Sequence, residues 1–254
     1  MIDLHCHLLP GVDDGSRSIE QSLEVLREMA RHGVTDVCLT PHLTATGANR
    51  GIPPLQDAAF DSLAPRLPAS PAIHRGAEIM LDRALAESVA RDRRATLGRT
   101  RYILVEFPRL VAENTVRRAL SDTVAIGLRP VLAHPERYQC CSPAAVREWR
   151  SLGALMQVDA TTLLSSRSRG MRARQLVEHG LADIAAADNH GDGRMLDAVH
   201  HVLDGRGGSA QAELLVRENP GRILRDEDTI PVPAIALGSS WWDRVRAHFQ
   251  GEAT

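Results

Sequence analysis

The chain has 254 residues, 43% hydrophobic and 24% charged, with a formal charge of −2; this is an ordinary globular composition with room for a substantial core. Aromatic residues make up only 3%, and all 30 basic residues are Arg. A base-stacking nucleic-acid surface, Schiff-base chemistry and a phosphate-loop lysine are therefore excluded. No apolar run reaches the roughly 20 residues of a membrane helix, and no basic-then-apolar leader opens the chain. Cys6, Cys38, Cys140 and Cys141 lack metal-finger spacing, and two of them are neighbours, so a reducing, cytoplasmic setting is expected.

In chain order, short β-like runs alternate with amphipathic helices. Strands are predicted over Ile2–Cys6, Thr35–Thr40, Ala72–Ile79, Tyr102–Phe107, Pro130–His134, Ala154–Asp159 and Asp183–Ala187. The clearest helix is Ser18–His32, with Ser18 as cap, Gln21 answering it, Gly33 as stop and Leu23, Leu26 and Ala30 on the buried face. Others are expected over Thr115–Ile126, Pro143–Ser151, Met171–His179 and Met195–Leu203. A repeated strand-then-helix order favours a parallel sheet, and the simplest reading is one barrel-like domain over 1–205. From 206 to 254 the pattern changes to short helices at Ala210–Arg217 and Asn219–Leu224, a surface crossing at Ile230–Ala234 and a last helix, Ser240–Gln250, expected to pack on the barrel, with a partner-docking surface as the alternative.

Parallel α/β barrels assemble their chemistry at strand C-termini, and polar residues gather there. His5 and His7, two apart on a strand, face the same way and can share a metal. Later strand ends bring His42, Glu78, Glu106, His134, Asp188 and His190, and the first loop adds Asp13 and Asp14. For Asp13 a turn-forming, helix-capping role is the expected one. Arg137 and Arg194 follow His134 and His190 closely and offer guanidinium groups able to clamp an oxyanion, against the plain alternative of surface salt bridges. The segment Cys141–Arg147 satisfies the C-x5-R spacing of cysteine-dependent phosphatases. It contains no glycine, and Ser142-Pro143 reads as a helix cap.

The segments DLHCHLLPGVDDGS at 3–16, TPH at 40–42, GAEI at 76–79, EFP at 106–108, AHPERY at 133–138 and DNH at 188–190 resemble the polymerase-and-histidinol-phosphatase (PHP) superfamily. Within it they are most similar to the manganese-dependent bacterial protein-tyrosine phosphatases of capsular and extracellular polysaccharide biosynthesis, the CpsB/CapC type. The resemblance implies a distorted (β/α)7, TIM-like barrel holding three divalent ions, with Mn²⁺ the family expectation and Fe²⁺ or Zn²⁺ compatible with the donors. Carried over by position, His5, His7, Glu78 and Asp188 hold the first metal. Glu78, as a bridge, Glu106 and His134 hold the second, and Asp14, His42 and His190 the third.

A hydroxide bridging the first two metals would attack phosphorus in line, in the manner of two-metal hydrolases. Four carboxylates, three divalent ions and that hydroxide leave a net +1 to receive a phosphate dianion. The implied substrate is the phosphotyrosine tail of a membrane-associated tyrosine kinase. The rival readings are a histidinol-phosphate or other small-molecule phosphatase of the superfamily, a metal-dependent amidohydrolase, and a metal-binding regulatory protein with little turnover. Asp14 and Glu106 lean toward the tyrosine-phosphatase branch, and the absence of Lys argues against a carboxylated-lysine amidohydrolase. Two departures stand out: Asn189 where Ala is usual, and a loop at Leu43–Pro53 with no aromatic residue to border the substrate.

Overall fold

A computed structural model of the chain describes residues 1–235. The expected Ser240–Gln250 helix lies outside the described residues. The strands are β1 (Ile2–Cys6), β2 (Asp36–Leu39), β3 (His42–Thr44), β4 (Ala72–Arg75), β5 (Glu78–Met80), β6 (Tyr102–Glu106), β7 (Arg129–Ala133), β8 (Leu155–Asp159) and β9 (Ile184–Ala186). All pairings are parallel, in the orders β1-β2-β4 and β3-β5-β6-β7-β8-β9.

The strand order is interrupted at two points. The expected second strand, Thr35–Thr40, is present as β2, and Pro41, which cannot donate to a ladder, separates it from the short β3, which was not expected and overlaps the start of the expected loop Leu43–Pro53. The third divides at Gly76-Ala77, and its second half changes neighbours, pairing with β3 and β6. The first and last strands lie side by side: Asp188 N donates to His5 O at 3.0 Å and His7 N to Asn189 O at 2.8 Å. The fold is thus the α/β, barrel-like arrangement expected, with these interruptions supplying its distortion.

Helices join the strands on the outside. Ser18 accepts from Gln21 N at 3.2 Å and opens the helix Ile19–Arg31, while Gln21 Oε1 accepts from Arg17 N, one residue before the expected partner. Its buried face carries Leu23, Val25, Leu26 and Met29, and Ala30 is only half-buried. Ser142 caps Pro143–Ser151 as expected, through Ala145 N at 3.1 Å. The helices Pro54–Leu63 and Glu87–Asp92 carry no strong amphipathic signal and were not expected.

A buried apolar cluster joins Leu4, Tyr102, Leu104, Val131, Leu155 and Ile184, from β1, β6, β7, β8 and β9, with Ile223 of the helix Asn219–Leu224. That late helix therefore plugs the strands' interior, and Asn219 Nδ2 ties it to Asp183 O at 2.8 Å. Where the same strands end, apolar side chains give way to imidazoles and carboxylates.

Candidate metal centre

All nine side chains expected to bind metal meet at the strand C-termini. Four groups have donor atoms mutually within 4.8 Å: His7, Asp14, His42 and His190; His5, Glu78 and His134; His5, His7 and Asp188; and His42, Glu78 and Glu106. The expected second set is divided between two of these, with His134 beside His5 and Glu106 beside His42, and Glu78 common to both. Depth varies across the centre: His5, His7, Glu78 and Asp188 are buried, whereas the Asp14 side chain is 71% exposed.

Hydrogen bonds fix how the imidazoles point. His5 Nδ1 donates to Gln157 Oε1 at 2.8 Å, and the Gln157 amide is oriented by its own donation to Val158 O at 3.1 Å. His7 Nδ1 donates to Asp13 Oδ2 at 2.8 Å, and His190 Nδ1 to Asp188 O at 2.9 Å. Each bond spends the Nδ1 hydrogen and leaves Nε2 with a lone pair aimed into the pocket, the orientation a metal ligand requires. His5 Nε2 and His7 Nε2 are 3.1 Å apart, so two bare lone pairs repel unless a cation or a proton lies between them.

The carboxylates have the complementary property. Glu78 Oε2 is buried and accepts no hydrogen bond among the described residues, although imidazole nitrogens of His42, His5 and His7 lie 3.0, 3.3 and 3.4 Å away. Contacts near hydrogen-bond length but out of line fit donors arranged around a shared ion. The donor set of imidazole and carboxylate matches first-row divalent cations.

The electrostatics point the same way. Burial disfavours a charged Glu78, but the His5 charge, the hydrogen bond from His134 and the nearby His42 imidazole hold it well below the carboxylate range. Asp188 is likewise lowered, burial being overcome by His5, His7 and Arg137. Burial opposes protonation of His42, yet Glu106 and Glu78 raise it to about 10. His5 is raised against burial by Glu78 and Asp188, and His7 by Asp13, Asp188 and Glu78. The pocket thus stabilises positive charge at His5, His7 and His42. His190 is lowered by burial and by the neighbouring His7.

Two ligand candidates sit on left-handed backbone, His134 at φ +35° and Asp188 at φ +50°. Such strain in non-glycine residues collects at functional sites. The loop after β1 closes over His7 because residue 15 is glycine. A Cβ there would lie 2.0 Å from His7 O, so any side chain would push the loop and Asp13 away.

Both arginines converge on Asp188 Oδ2. Arg137 Nη2 contacts it directly and Arg194 Nη1 lies 3.6 Å away. Asp192 holds Arg194 through Nε and Nη2. Asn189 donates to Asp192 O and Arg194 O and accepts from Gly191 N and Asp192 N, so the residue that departs from the family pattern organises the loop carrying Arg194.

Sequence reasoning missed Gln157, Asp159 and Asp3 as supporting residues, and part of what Asp13 does. The turn role expected of Asp13 is present, Oδ1 accepting from Gly15 N at 3.0 Å. It caps no helix, that place being taken by Ser18, and its Oδ2 instead orients His7 and accepts from His42 N. Asp159, at the end of β8, holds Arg137 Nη2 at 2.7 Å, and its position at a strand end was an available signal. Asp3 is buried and receives hydrogen bonds from His5 N and Ala187 N, bracing the first strand against the last. By contrast Cys141 is buried, and that burial pushes its thiol up to about 12; Arg147 is exposed. The C-x5-R segment is therefore a capped helix with an unreactive thiol.

Fold and donor set together define an α/β barrel-like protein with a candidate polynuclear metal centre. Residues 1–225 match the family model described as capsular polysaccharide synthesis, CpsB/CapC, and the chain belongs to that family. It is 29% identical over 246 residues to the tyrosine-protein phosphatase CpsB of Streptococcus pneumoniae, covering 89% of this chain and 99% of that one. Against the tyrosine-protein phosphatase YwqE of Bacillus subtilis it is 29% identical over 244 residues, covering 92% and 95%. A solved structure from work on YwqE and CpsB, described there as metal-dependent tyrosine phosphatases, superposes with a TM-score of 0.76 at 26% identity over 93% of this chain and 99% of that chain. The dihydropyrimidinase of Brevibacillus agri, 14% identical with a TM-score of 0.53 over 92% of this chain and 73% of that chain, shares the fold alone.

Proposed function

We propose that this protein is a metal-dependent protein-tyrosine phosphatase of polysaccharide biosynthesis. The observation that carries this reading is the convergence of five imidazoles and four carboxylates on one pocket, three of the imidazoles with Nδ1 spent on protein acceptors. His5, His7, Glu78 and Asp188 would hold a first divalent ion, Glu78, Glu106 and His134 a second, and Asp14, His42 and His190 a third, with Mn²⁺ the ion expected. The sharing of Glu78 between two donor groups supports its bridging role. Such ions supply Lewis acidity to phosphoryl oxygens and lower the pKa of water.

The chain's own residues do the rest. The open side of the pocket, at Asp14 and His42, admits the phosphate group. Arg137 and Arg194 reach its non-bridging oxygens, each guanidinium held in place by a carboxylate, Asp159 or Asp192. A phenol with pKa near 10 leaves without strong general-acid help, so no proton donor need be assigned. The substrate would be the phosphotyrosine tail of a membrane-associated bacterial tyrosine kinase, met in the cytoplasm. No helix of the described residues is long and apolar enough to cross a membrane.

The test is metal analysis of the purified protein together with hydrolysis of a phosphotyrosine peptide and of histidinol phosphate, with and without chelator. Chelator-sensitive hydrolysis of the peptide is the expected result. Activity indifferent to chelator would reject the metal chemistry, and a preference for histidinol phosphate would move the protein to a small-molecule branch.

A further inference from the structure

The pocket's rim is electrically one-sided. The segments following β6, β7 and β8 (107–112, 135–142 and 160–172, the last including the first turn of the helix Ser168–Glu178) carry Arg109, Arg137, Arg167, Arg169 and Arg172 against a single acid, Glu136, which is buried; the exposed Glu113 opens the helix that follows the first of them. The loops following β1, β3, β5 and β9 (7–18, 45–53, 81–86 and 187–197) carry four Arg against six Asp. All these segments leave the C-terminal ends of parallel strands in two sheets joined side by side at β1 and β9, so the asymmetry is spatial: one half of the rim is cationic, the other mildly anionic.

The cationic half is built as one band. Gln139 N donates to Arg109 O at 3.0 Å, joining the loops after β6 and β7. Arg172 Nη1 donates to Tyr138 O at 3.2 Å, tying the helix Ser168–Glu178 to the loop after β7. Arg174 Nη1 holds Leu163 O and Ser165 O, and Gly170 lets that loop fold back so closely that a Cβ would meet Ser165 O at 2.0 Å. At the band's inner edge, Arg137 and Asp159 belong to the phosphate pocket described above.

Three of its arginines have no structural employment. Arg109 and Arg167 are exposed, Arg169 is half-exposed, and none forms an ion pair with a described carboxylate. Between them stand Leu110, 75% exposed, and Leu164, 59% exposed, two of the few large apolar side chains left in water. Free guanidinium groups interleaved with exposed leucines, opening onto a phosphate pocket, fit a chain with negative and apolar groups beside its phosphorylated residue.

We propose that the band 107–112, 135–142 and 160–172 is the docking surface for the peptide flanking the phosphotyrosine, and that it selects acidic flanks through Arg109, Arg167 and Arg169. This rests on the phosphatase reading and deepens it. The test compares a phosphotyrosine peptide flanked by Glu, the same peptide flanked by Gln, and p-nitrophenyl phosphate, using the metal-loaded full chain.

Wild-type kcat/KM should favour the Glu-flanked peptide by about tenfold at low ionic strength, chiefly through KM, and the preference should shrink with added salt. The triple variant Arg109→Glu, Arg167→Glu, Arg169→Glu should abolish or invert it while p-nitrophenyl phosphate turnover stays unchanged, which also reports an intact fold. Equal kcat/KM for the two peptides, or a preference that survives charge reversal, overturns the docking proposal while leaving the phosphatase reading intact. Failure to hydrolyse any of the three substrates refutes the phosphatase reading, and docking with it.

Discussion

Asp13 Oδ2 accepts the Nδ1 hydrogen of His7 at 2.8 Å, and this bond decides which nitrogen of His7 faces the pocket. A carboxylate behind a ligating imidazole fixes its tautomer and raises its basicity, and its loss typically lowers metal affinity by about 10–100-fold. Asp13→Asn should therefore weaken binding of the metal that His7 is proposed to hold by about that factor, measured by titration of chelated protein. An affinity within twofold of wild type would mean that Asp13 serves only its turn.

Asp159 plays a similar part for Arg137. Its Oδ1 is fixed by Thr161 N, Thr161 Oγ1 and Thr162 N at 2.8–3.0 Å, which leaves Oδ2 in a set position to hold the guanidinium. Asp159→Asn keeps an acceptor for the loop but removes the charge, and should lower kcat/KM by about 10-fold, the scale of a lost hydrogen bond to a charged group. The discriminating measurement is a double-mutant cycle. In an Arg137→Ala background the second substitution should cost nothing further, whereas additive losses would assign Asp159 a purely structural role.

Two chemistries for phosphate hydrolysis are separated by one pair of variants. Cys141→Ser should keep full activity, since that thiol is buried and raised to about 12, while His5→Ala should reduce turnover to background through loss of metal. Metal content measured on the same samples should fall only in the His5 variant. An inactive Cys141→Ser that retains its metal would reverse the mechanism.

Burial also leaves a pH signature on stability. Glu136 is wholly buried, with Oε2 lacking a hydrogen bond, and its carboxyl rises from 4.5 to about 8. The folded chain keeps that proton through a window in which the unfolded chain has lost it. The associated stability is complete below pH 4.5 and is lost as pH climbs to about 8. Asp3, raised from 3.8 to about 7 by burial, acts in the same sense. Chelated protein should therefore unfold at lower urea at pH 8 than at pH 5, and Glu136→Gln should flatten that decline; parallel curves for the two proteins would show that Glu136 does not carry the linkage.

The sequence alone was enough for the main strand-then-helix alternation, the cap at Ser18, the cap at Ser142 and the nine candidate ligands at the strand ends and first loop, though not for the short β3 or the helices Pro54–Leu63 and Glu87–Asp92. These are read locally: alternation of period two points His5 and His7 the same way, a hydroxyl before an amphipathic run caps it, and a parallel α/β order gathers every strand end on one face. Tertiary structure alone decided where β2 and β4 end and β3 and β5 begin, that Asp13 turns its second oxygen to His7, and that Asp159 meets Arg137 across 22 positions of sequence. Those pairings depend on strand register and on how tightly a loop folds back, as at Gly15 over His7. Register and loop closure are set by the packed core as a whole, and a hydrogen bond between distant loops leaves no periodic trace in the chain that carries it.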